Sequence, residues 1–294
     1  MENVSKTPLV SVLLASFNHE KYVEKAVRSV MAQQGVNFEL IVVDDGSNDR
    51  SPEILEALQK ELGFRYVHRP NKGFIPTMNE LLSLAQGKYF CSFASDDIMP
   101  ENRLALQSDY LEKHPESVAC FGQIINIVNG ALDSYLDPRF LRSVPRVSFD
   151  ELFLGKKSLH GCSEMIVREK VLALGGYNQN YFFEDIPLFL SLLYQYGAQP
   201  VLPNVICCYY RTHDDSMHLN ENRIFGEILK VLDLYKNHPL YPKAVKCWKA
   251  NWFSALAYTD KKQALLRLPE LASFSKMFLK KLPKLFIPRK FLPY

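Results

Sequence analysis

The sequence predicts an α/β fold: an open, mostly parallel and Rossmann-like β-sheet flanked by helices, with a helical appendage after it. Three observations carry this expectation. Short β-branched apolar runs alternate with segments of helical spacing over the first hundred residues, which is the pattern of repeated βα units. Several runs are almost continuously apolar, as strands covered on both faces are. The 294 residues are 47% hydrophobic and 23% charged, enough to bury one large core.

The first strand is Leu9–Ala15, with Ser16-Phe17-Asn18 as the loop at its carboxyl end. From Glu20 onward Tyr22, Val23, Ala26, Val27, Val30 and Met31 share one helical face, and Gly35 stops that helix. Phe38–Val43 is a second buried strand that delivers Asp44-Asp45-Gly46-Ser47 before a helix from Pro52 to Leu62. A strand over Phe64–His68 leads through Asn71-Lys72-Gly73 to a helix over Thr77–Ala85, closed by Gly87. Lys88–Ala94 is the fourth strand; it ends at Asp96-Asp97, and Pro100 discourages its extension. Beyond it, Arg103–Lys113 is helical, Val118–Val128 gives a strand or two, and Asp133–Asp150 is interrupted by prolines. His160–Val167 reads as a strand, Ile186–Tyr196 as a helix and Val205–Tyr210 as a strand, and helices over Asn222–Tyr235 and Ala244–Tyr258 follow.

In open α/β sheets, ligands bind beyond the carboxyl ends of the strands, so Asp44-Asp45 and Asp96-Asp97 share one edge. Taken alone, Asp-Gly-Ser after a strand is a turn and a helix cap; the joint placement of two acidic clusters favours a binding site. No GxGxxG or GxxxxGK[ST] occurs, so neither a dinucleotide fingerprint nor a P-loop supplies a phosphate cradle. Carboxylate oxygen instead suits Mg2+ or Mn2+, which can bridge two phosphates. Glu184-Asp185 opens a helix, a place acids favour for the macrodipole alone. Arg211-Thr212-His213-Asp214-Asp215-Ser216-Met217-His218 crowds a cation, two imidazoles and two acids together, and a solvated loop is the plain alternative.

The segments LVSVLLASFN, FELIVVDDGSND, NKGFIPTMN, FASDDIMPENRL, LGGYNQNYFFED and YYRTHDDS, in this order over roughly residues 8 to 216, resemble the family 2 glycosyltransferases. These are inverting, nucleotide-sugar-dependent enzymes of the GT-A fold. The resemblance implies a catalytic domain over 1–216, with a nucleotide-binding half to about residue 100 and an acceptor half over about 101–216. The remainder, 217–294, is then a C-terminal helical region with a basic tail. Asp45 falls where the family binds the nucleotide base, uridine-like in the first instance, with Ser16 and Asn18 beside it. Asp96 falls on the ribose and Asp97 on the metal. Asp185, with Glu184 next to it, falls on the group that deprotonates the acceptor hydroxyl.

Two departures matter. Ala94 stands where many members have another acid, which brings in His213 as a metal ligand, and Met78 stands where many have Arg, which leaves a diphosphate contact to Lys72 or Arg211. The implied reaction is one displacement: Asp185 takes the hydroxyl proton, the anomeric configuration inverts, and Mg2+ or Mn2+ stabilises the departing diphosphate. The implied acceptor is a saccharide or lipid-linked saccharide in surface-polysaccharide biosynthesis of the O-antigen kind. The competing reading is a nucleotide-sugar-binding scaffold or degenerate paralogue without turnover, for which Ala94 and Met78 argue. A nucleotidyltransferase is disfavoured by the missing Gly-rich, basic phosphate loop.

The net charge of +3 is uneven: from Lys261 onward nine Lys/Arg face one acid, Glu270, a net +8 that leaves −5 for residues 1–260. Phe274, Met277, Phe278, Leu282, Leu285 and Phe286 recur at helical spacing among Lys276, Lys280 and Lys284, until Pro283 ends or kinks any helix. Residues 270–294 therefore suit an anionic membrane surface, with packing on the protein's own domain or in an oligomer as the alternative. No nucleic-acid-reading module accompanies the charge. No eighteen-residue apolar run occurs, the MENVSKTP start lacks the features of a secretory signal, and the six cysteines form no CxxC pair. The expected location is the cytoplasm, with peripheral attachment to the inner face of the cell membrane.

Overall fold

The computed structural model describes residues 7–128, 131–132, 145–211, 221–272 and 276–287. The first four βα units are β1 (Val10–Ser16), α1 (Val23–Met31), β2 (Phe38–Asp44), α2 (Ser51–Leu62), β3 (Arg65–His68), α3 (Phe74–Leu84), β4 (Tyr89–Ala94) and α4 (Arg103–Lys113). They are followed by β5 (Ala119–Val128), β6 (Ala131–Leu132), β7 (Arg146–Val147), α5 (Phe149–Phe153), β8 (Glu164–Val167), α6 (Arg168–Ala173), α7 (Asp185–Tyr196) and β9 (Gln199–Arg211). The last helices are α8 (Glu221–Leu232), α9 (Tyr241–Thr259), α10 (Lys261–Leu266), α11 (Leu268–Leu271) and α12 (Lys276–Lys281).

One nine-stranded sheet has the order β3-β2-β1-β4-β8-β5-β9-β7, with β6 paired to β5. The run β3-β2-β1-β4 is parallel, and its register sets Ser16 opposite Asp44 and Ala15 opposite Ala94. The carboxyl ends of β1, β2 and β4 thus lie side by side. Strand β8 runs antiparallel to both β4 and β5, while β5 and β9 are parallel. Because β8 is reversed, its amino end lies at the edge where β4 ends. That reversal is invisible in a strand buried on both faces, whose apolar run reads alike in either direction.

Strand β1 is buried on nearly its whole length, on both faces. Val10, Val12 and Leu14 of β1 share one core cluster with Val23, Ala26, Val27 and Val30 of α1 and with Leu40 and Val42 of β2. Each fully buried Val or Leu is worth about 1.5–3 kcal/mol, so this packing fixes the sheet edge that carries the acids.

Four boundaries differ from expectation. The strand expected over His160–Val167 is shortened to Glu164–Val167, preceded by a 3-10 turn at Gly161–Ser163. Helix α3 starts at Phe74, because Pro76 needs no hydrogen-bonded N–H in the first turn. Helix α9 starts at Tyr241, three residues before the predicted Ala244, again with Pro in its first turn. Strand β9 reaches back to Gln199 rather than starting at Val205: Val201 pairs with Phe121 and Ile206 with Gln123, so the stretch holding Pro203 bulges out of register.

The chain divides into two compact units, 1–148 with 159–212, and 149–158 with 213–294. The segment Phe149–Ser158, which the sequence places before the helical region, therefore belongs to the second unit. In that unit Phe149 and Phe153 stack and meet Tyr235 and His238, and the Trp248 indole donates to the Phe153 carbonyl at 2.9 Å. A second core gathers Trp252, Phe253, Leu256, Ala264, Leu271 and Phe278, with Leu282 and Leu285 packed against it. Much of the tail's apolar face is thus spent internally, and Lys281 and Lys284 are tied to Asn251 and Ser254. No helix among the described residues is long and apolar enough to cross a membrane.

Candidate active site

The loop after β2 is built by its own acids. Asp44 is fully buried and accepts from the Ser47 amide at 2.9 Å, the Ser47 hydroxyl at 2.6 Å and His68 Nδ1 at 3.0 Å. It acts as the turn's anchor, the plain role open to this dipeptide. Asp45 accepts from the amides of Lys72 at 2.8 Å and Gly73 at 3.0 Å, and pairs with the Arg69 guanidinium. Arg69 also reaches Glu80 and Thr77, each by a bond of 2.8–2.9 Å. Gly46 has φ of 76°, and a Cβ there would sit 2.6 Å from the Asn71 amide, so this close approach of loops requires glycine.

The loop after β1 locks onto the same structure. The Ser16 carbonyl accepts from the Asp45 amide at 2.8 Å, and the Ser16 hydroxyl is buried with no partner among the described residues. Asn18, at a positive φ of 55°, accepts from the Asn48 amide, and its own amide donates to Ser47 Oγ, each at 2.8 Å. His19 Nδ1 lies 2.7 Å from Ser95 Oγ and so joins this loop to the end of β4.

After β4 the two acids part. Asp96 is half-buried, whereas Asp97 is 1% exposed. Asp97 accepts from the Arg211 amide at 2.8 Å and from the Cys208 thiol at 3.2 Å, both on β9. Burial, then the neighbouring Asp96 charge, push its pKa up to about 7. Arg211 completes the clasp: its Nε donates to the Asp96 carbonyl at 2.9 Å and its guanidinium lies 5.0 Å from the centre of the Tyr22 ring.

Glu184 and Asp185 begin α7, where Asp185 accepts from the Ile186 amide at 2.6 Å. Burial raises both pKa values, Glu184 further because the Asp185 charge adds to it. They reach the β4 edge through Gly161: a Cβ on that residue would lie 3.0 Å from Glu184 Oε1, and its carbonyl accepts from the Ser92 hydroxyl of β4 at 3.3 Å. Ser92 also donates to Glu164 of β8 at 2.7 Å, whose buried carboxyl is pushed up to about 7 by desolvation. Nearby, the Gly176-Tyr177 turn is held by Asn79, which exchanges two 2.8 Å bonds with the Tyr177 backbone.

The structure therefore brings Asp45, Ser16, Asn18, Asp96, Asp97, Arg211, Glu184 and Asp185 to one edge of the sheet. Lys72 contributes its amide to Asp45 while its ammonium lies 3.7 Å from Glu80. His213 lies outside the described residues. Met78 is a core residue of α3. Sequence reasoning missed Arg69, Glu164, Arg103 and the His19–Ser95 link. Arg69 follows the strand β3 at the same edge as Asp45, which is the one signal that marks it.

Residues 11–172 match the glycosyl transferase family 2 model, more than half of the chain, and the chain belongs to that family. Among its relatives is TuaG of Bacillus subtilis, a glycosyltransferase named for teichuronic acid biosynthesis, 28% identical over 218 residues covering 73% of this chain and 83% of TuaG. An uncharacterized glycosyltransferase of Rickettsia felis is 28% identical over 174 residues, 58% of this chain but only 29% of that protein's length. Among solved structures, Staphylococcus aureus TarS 1-349 in complex with UDP aligns with a TM-score of 0.66 at 18% identity, over 93% of this chain and 81% of that one. The mannosyltransferase PcManGT of Pyrobaculum calidifontis, solved with GDP-Man and Mn2+, aligns with a TM-score of 0.59 at 16% identity, over 98% and 88%. These structures share the GT-A fold with this chain.

Proposed function

We propose that this chain is an inverting glycosyltransferase moving a sugar from a nucleotide diphosphate sugar, UDP-linked in the first instance, to a hydroxyl of a saccharide or lipid-linked saccharide in surface-polysaccharide assembly. The observation that carries it is the gathering of Asp45, Asp96, Asp97, Glu184 and Asp185 at one sheet edge by three separate elements. The UDP-bound TarS neighbour and the teichuronic acid relative support the donor and the pathway.

Asp45 Oδ2 accepts one amide and keeps a lone pair for an N–H of the base, with Ser16 and Asn18 shaping that end. Asp96, the half-buried acid, takes the ribose hydroxyls. Arg211 takes diphosphate oxygens ahead of Lys72, whose ammonium is already near Glu80. Burial and the Asp185 charge raise Glu184 further than Asp185, so Asp185 is the carboxylate that ionises first and removes the acceptor's proton. Mg2+ and Mn2+ are commonly held by one or two carboxylates plus substrate phosphates, and the carboxylates of Asp97 and Asp96 fit that count, with His213 as the further candidate. Such an ion supplies charge neutralisation on the diphosphate leaving group.

Asp185→Asn tests the assignment. It should keep a UDP-induced thermal shift in the presence of Mn2+ and lose transfer by at least about a hundredfold. Wild-type protein that binds UDP but transfers to no saccharide in a broad panel would instead favour the non-catalytic scaffold.

A cytoplasmic location at an anionic membrane face belongs to the same reading, with contact expected at the apolar side chains left exposed. Phe278, Leu282 and Leu285 pack inward, whereas Leu265, Leu266, Leu279, Phe286 and Ile287 are exposed. Leu279→Ser with Phe286→Ser should then abolish co-sedimentation with phosphatidylserine vesicles; undiminished sedimentation would remove the membrane from the proposal.

A further inference from the structure

Behind the acidic edge, Asp97 meets two side chains that the proposed reaction does not use. The ligand atoms of Asp97, Cys162 and Cys208 all lie within 4.8 Å of one another, on the β4 loop, the 3-10 turn before β8 and strand β9. Cys208 and Asp97 are buried; Cys162 is half-buried, which leaves an approach from its side. We propose that these three residues form a binding site for a thiophilic divalent cation, Zn2+ or Cd2+, distinct in chemistry from the thiol-free Mg2+ or Mn2+ site to which Asp97 would also belong.

Two thiolates and a carboxylate are a soft, three-ligand set that suits Zn2+ with water in the fourth position. Tetrahedral zinc sets its ligand atoms roughly 3.5 Å apart. The Cys208 sulfur and Asp97 oxygen are already 3.2 Å apart, so closure asks only for a small movement of Cys162 in its short turn. The outer contacts favour the same occupant. The Arg211 amide holds Asp97 Oδ1 at 2.8 Å, fixing the carboxylate while Oδ2 faces the thiols.

A second observation is independent of these distances. Arg103 is fully buried and donates to the carbonyls of Cys207 and Glu164 and to Gln107, and it has no ion pair with a carboxylate among the described residues. Burial pushes the Cys208 thiol well above its ordinary range, and the Arg103 charge acts against that shift. On binding, each thiol releases its proton to water and each sulfur donates a lone pair to the metal; no oxidant is involved.

The test is titration of the whole protein with Cd2+, read by the ultraviolet thiolate-to-metal charge-transfer band, in a Cys247→Ser background that removes the other half-buried thiol. One equivalent should saturate the band, Zn2+ should displace Cd2+, and millimolar Mg2+ should not. Cys162→Ser should weaken binding by more than about a hundredfold, beyond the loss typical of an outer contact. If Cys208→Ser fails to fold, Cys162→Ala serves as the second variant at the half-buried position. A band that is absent at one equivalent, or unchanged in both Cys162 variants, overturns the proposal. The site shares Asp97 with the proposed transfer reaction, but the readout is metal binding, so a protein that transfers no sugar would still show it.

Discussion

The two sides of the sheet edge hold buried carboxylates in opposite ways. On the β2–β3 side, Asp44 and Asp45 are surrounded by amides, hydroxyls, His68 and Arg69. On the β4–β8 side, Asp97 has one amide and one thiol, and Glu164 has the hydroxyl and backbone of Ser92, and burial lifts both carboxyls to about 7. Glu184 and Asp185 are shifted the same way. A carboxylate with enough donors is a fixture, whereas one short of donors holds a proton or waits for a cation. The first side therefore supplies rigidity, and the second supplies groups whose charge state can change near neutral pH.

The larger test of this contrast removes a fixture. Asp45→Ala leaves the Arg69 guanidinium, whose side chain is only 10% exposed, without its nearest partner. Truncating one member of a buried pair costs about 3–5 kcal/mol. Arg69 keeps Glu80 at 2.9 Å, so the expected loss is at the lower end, about 3 kcal/mol, measured by urea denaturation. A loss under about 0.5 kcal/mol, the range of ordinary surface changes, would mean that Asp45 is held for its ligand alone and that the two sides do not differ.

The same contrast explains what could be read from the sequence. Strands β1 to β4 announced themselves because each is an apolar run ending in a polar loop, and the side-by-side acids followed from the parallel order. The direction of β8 did not, since pairing sense leaves no mark on a short buried run. Asp45 and Asp97 were found by position, but their surroundings were not: Arg69 and Arg103 look like surface cations until the fold pairs the first with Asp45 and buries the second. Cys162 and Cys208 are distant in sequence and meet only because β8 and β9 flank β5. Likewise the tail's helical spacing meets a helix only over Lys276–Lys281 before a 3-10 turn at Leu282–Leu285, and which face turns inward depends on Trp252 and Phe253 of α9.

The subtler test removes a charge from the second side without removing a hydrogen bond. In Glu164→Gln the amide oxygen can still accept from Ser92 at the position now bonded at 2.7 Å. An unfolded Glu titrates near 4.3, and the folded group near 7, so the native state holds its proton more tightly than the unfolded state does. A raised acid contributes most stability below its unfolded value and loses that contribution as pH rises through its folded value. Wild type should therefore lose stability between about pH 4 and pH 7 by a term that the variant lacks. The variant's advantage should grow across that window to about 3 kcal/mol at pH 8 and vanish near pH 4, read as the difference between two urea-denaturation series. Arg103 works against this result, because its guanidinium favours ionised Glu164 while donating at 2.9 Å to the Glu164 carbonyl. If that attraction outweighs burial, the variant will be less stable at pH 8, and Glu164 will have to be counted with Asp45 as a satisfied carboxylate.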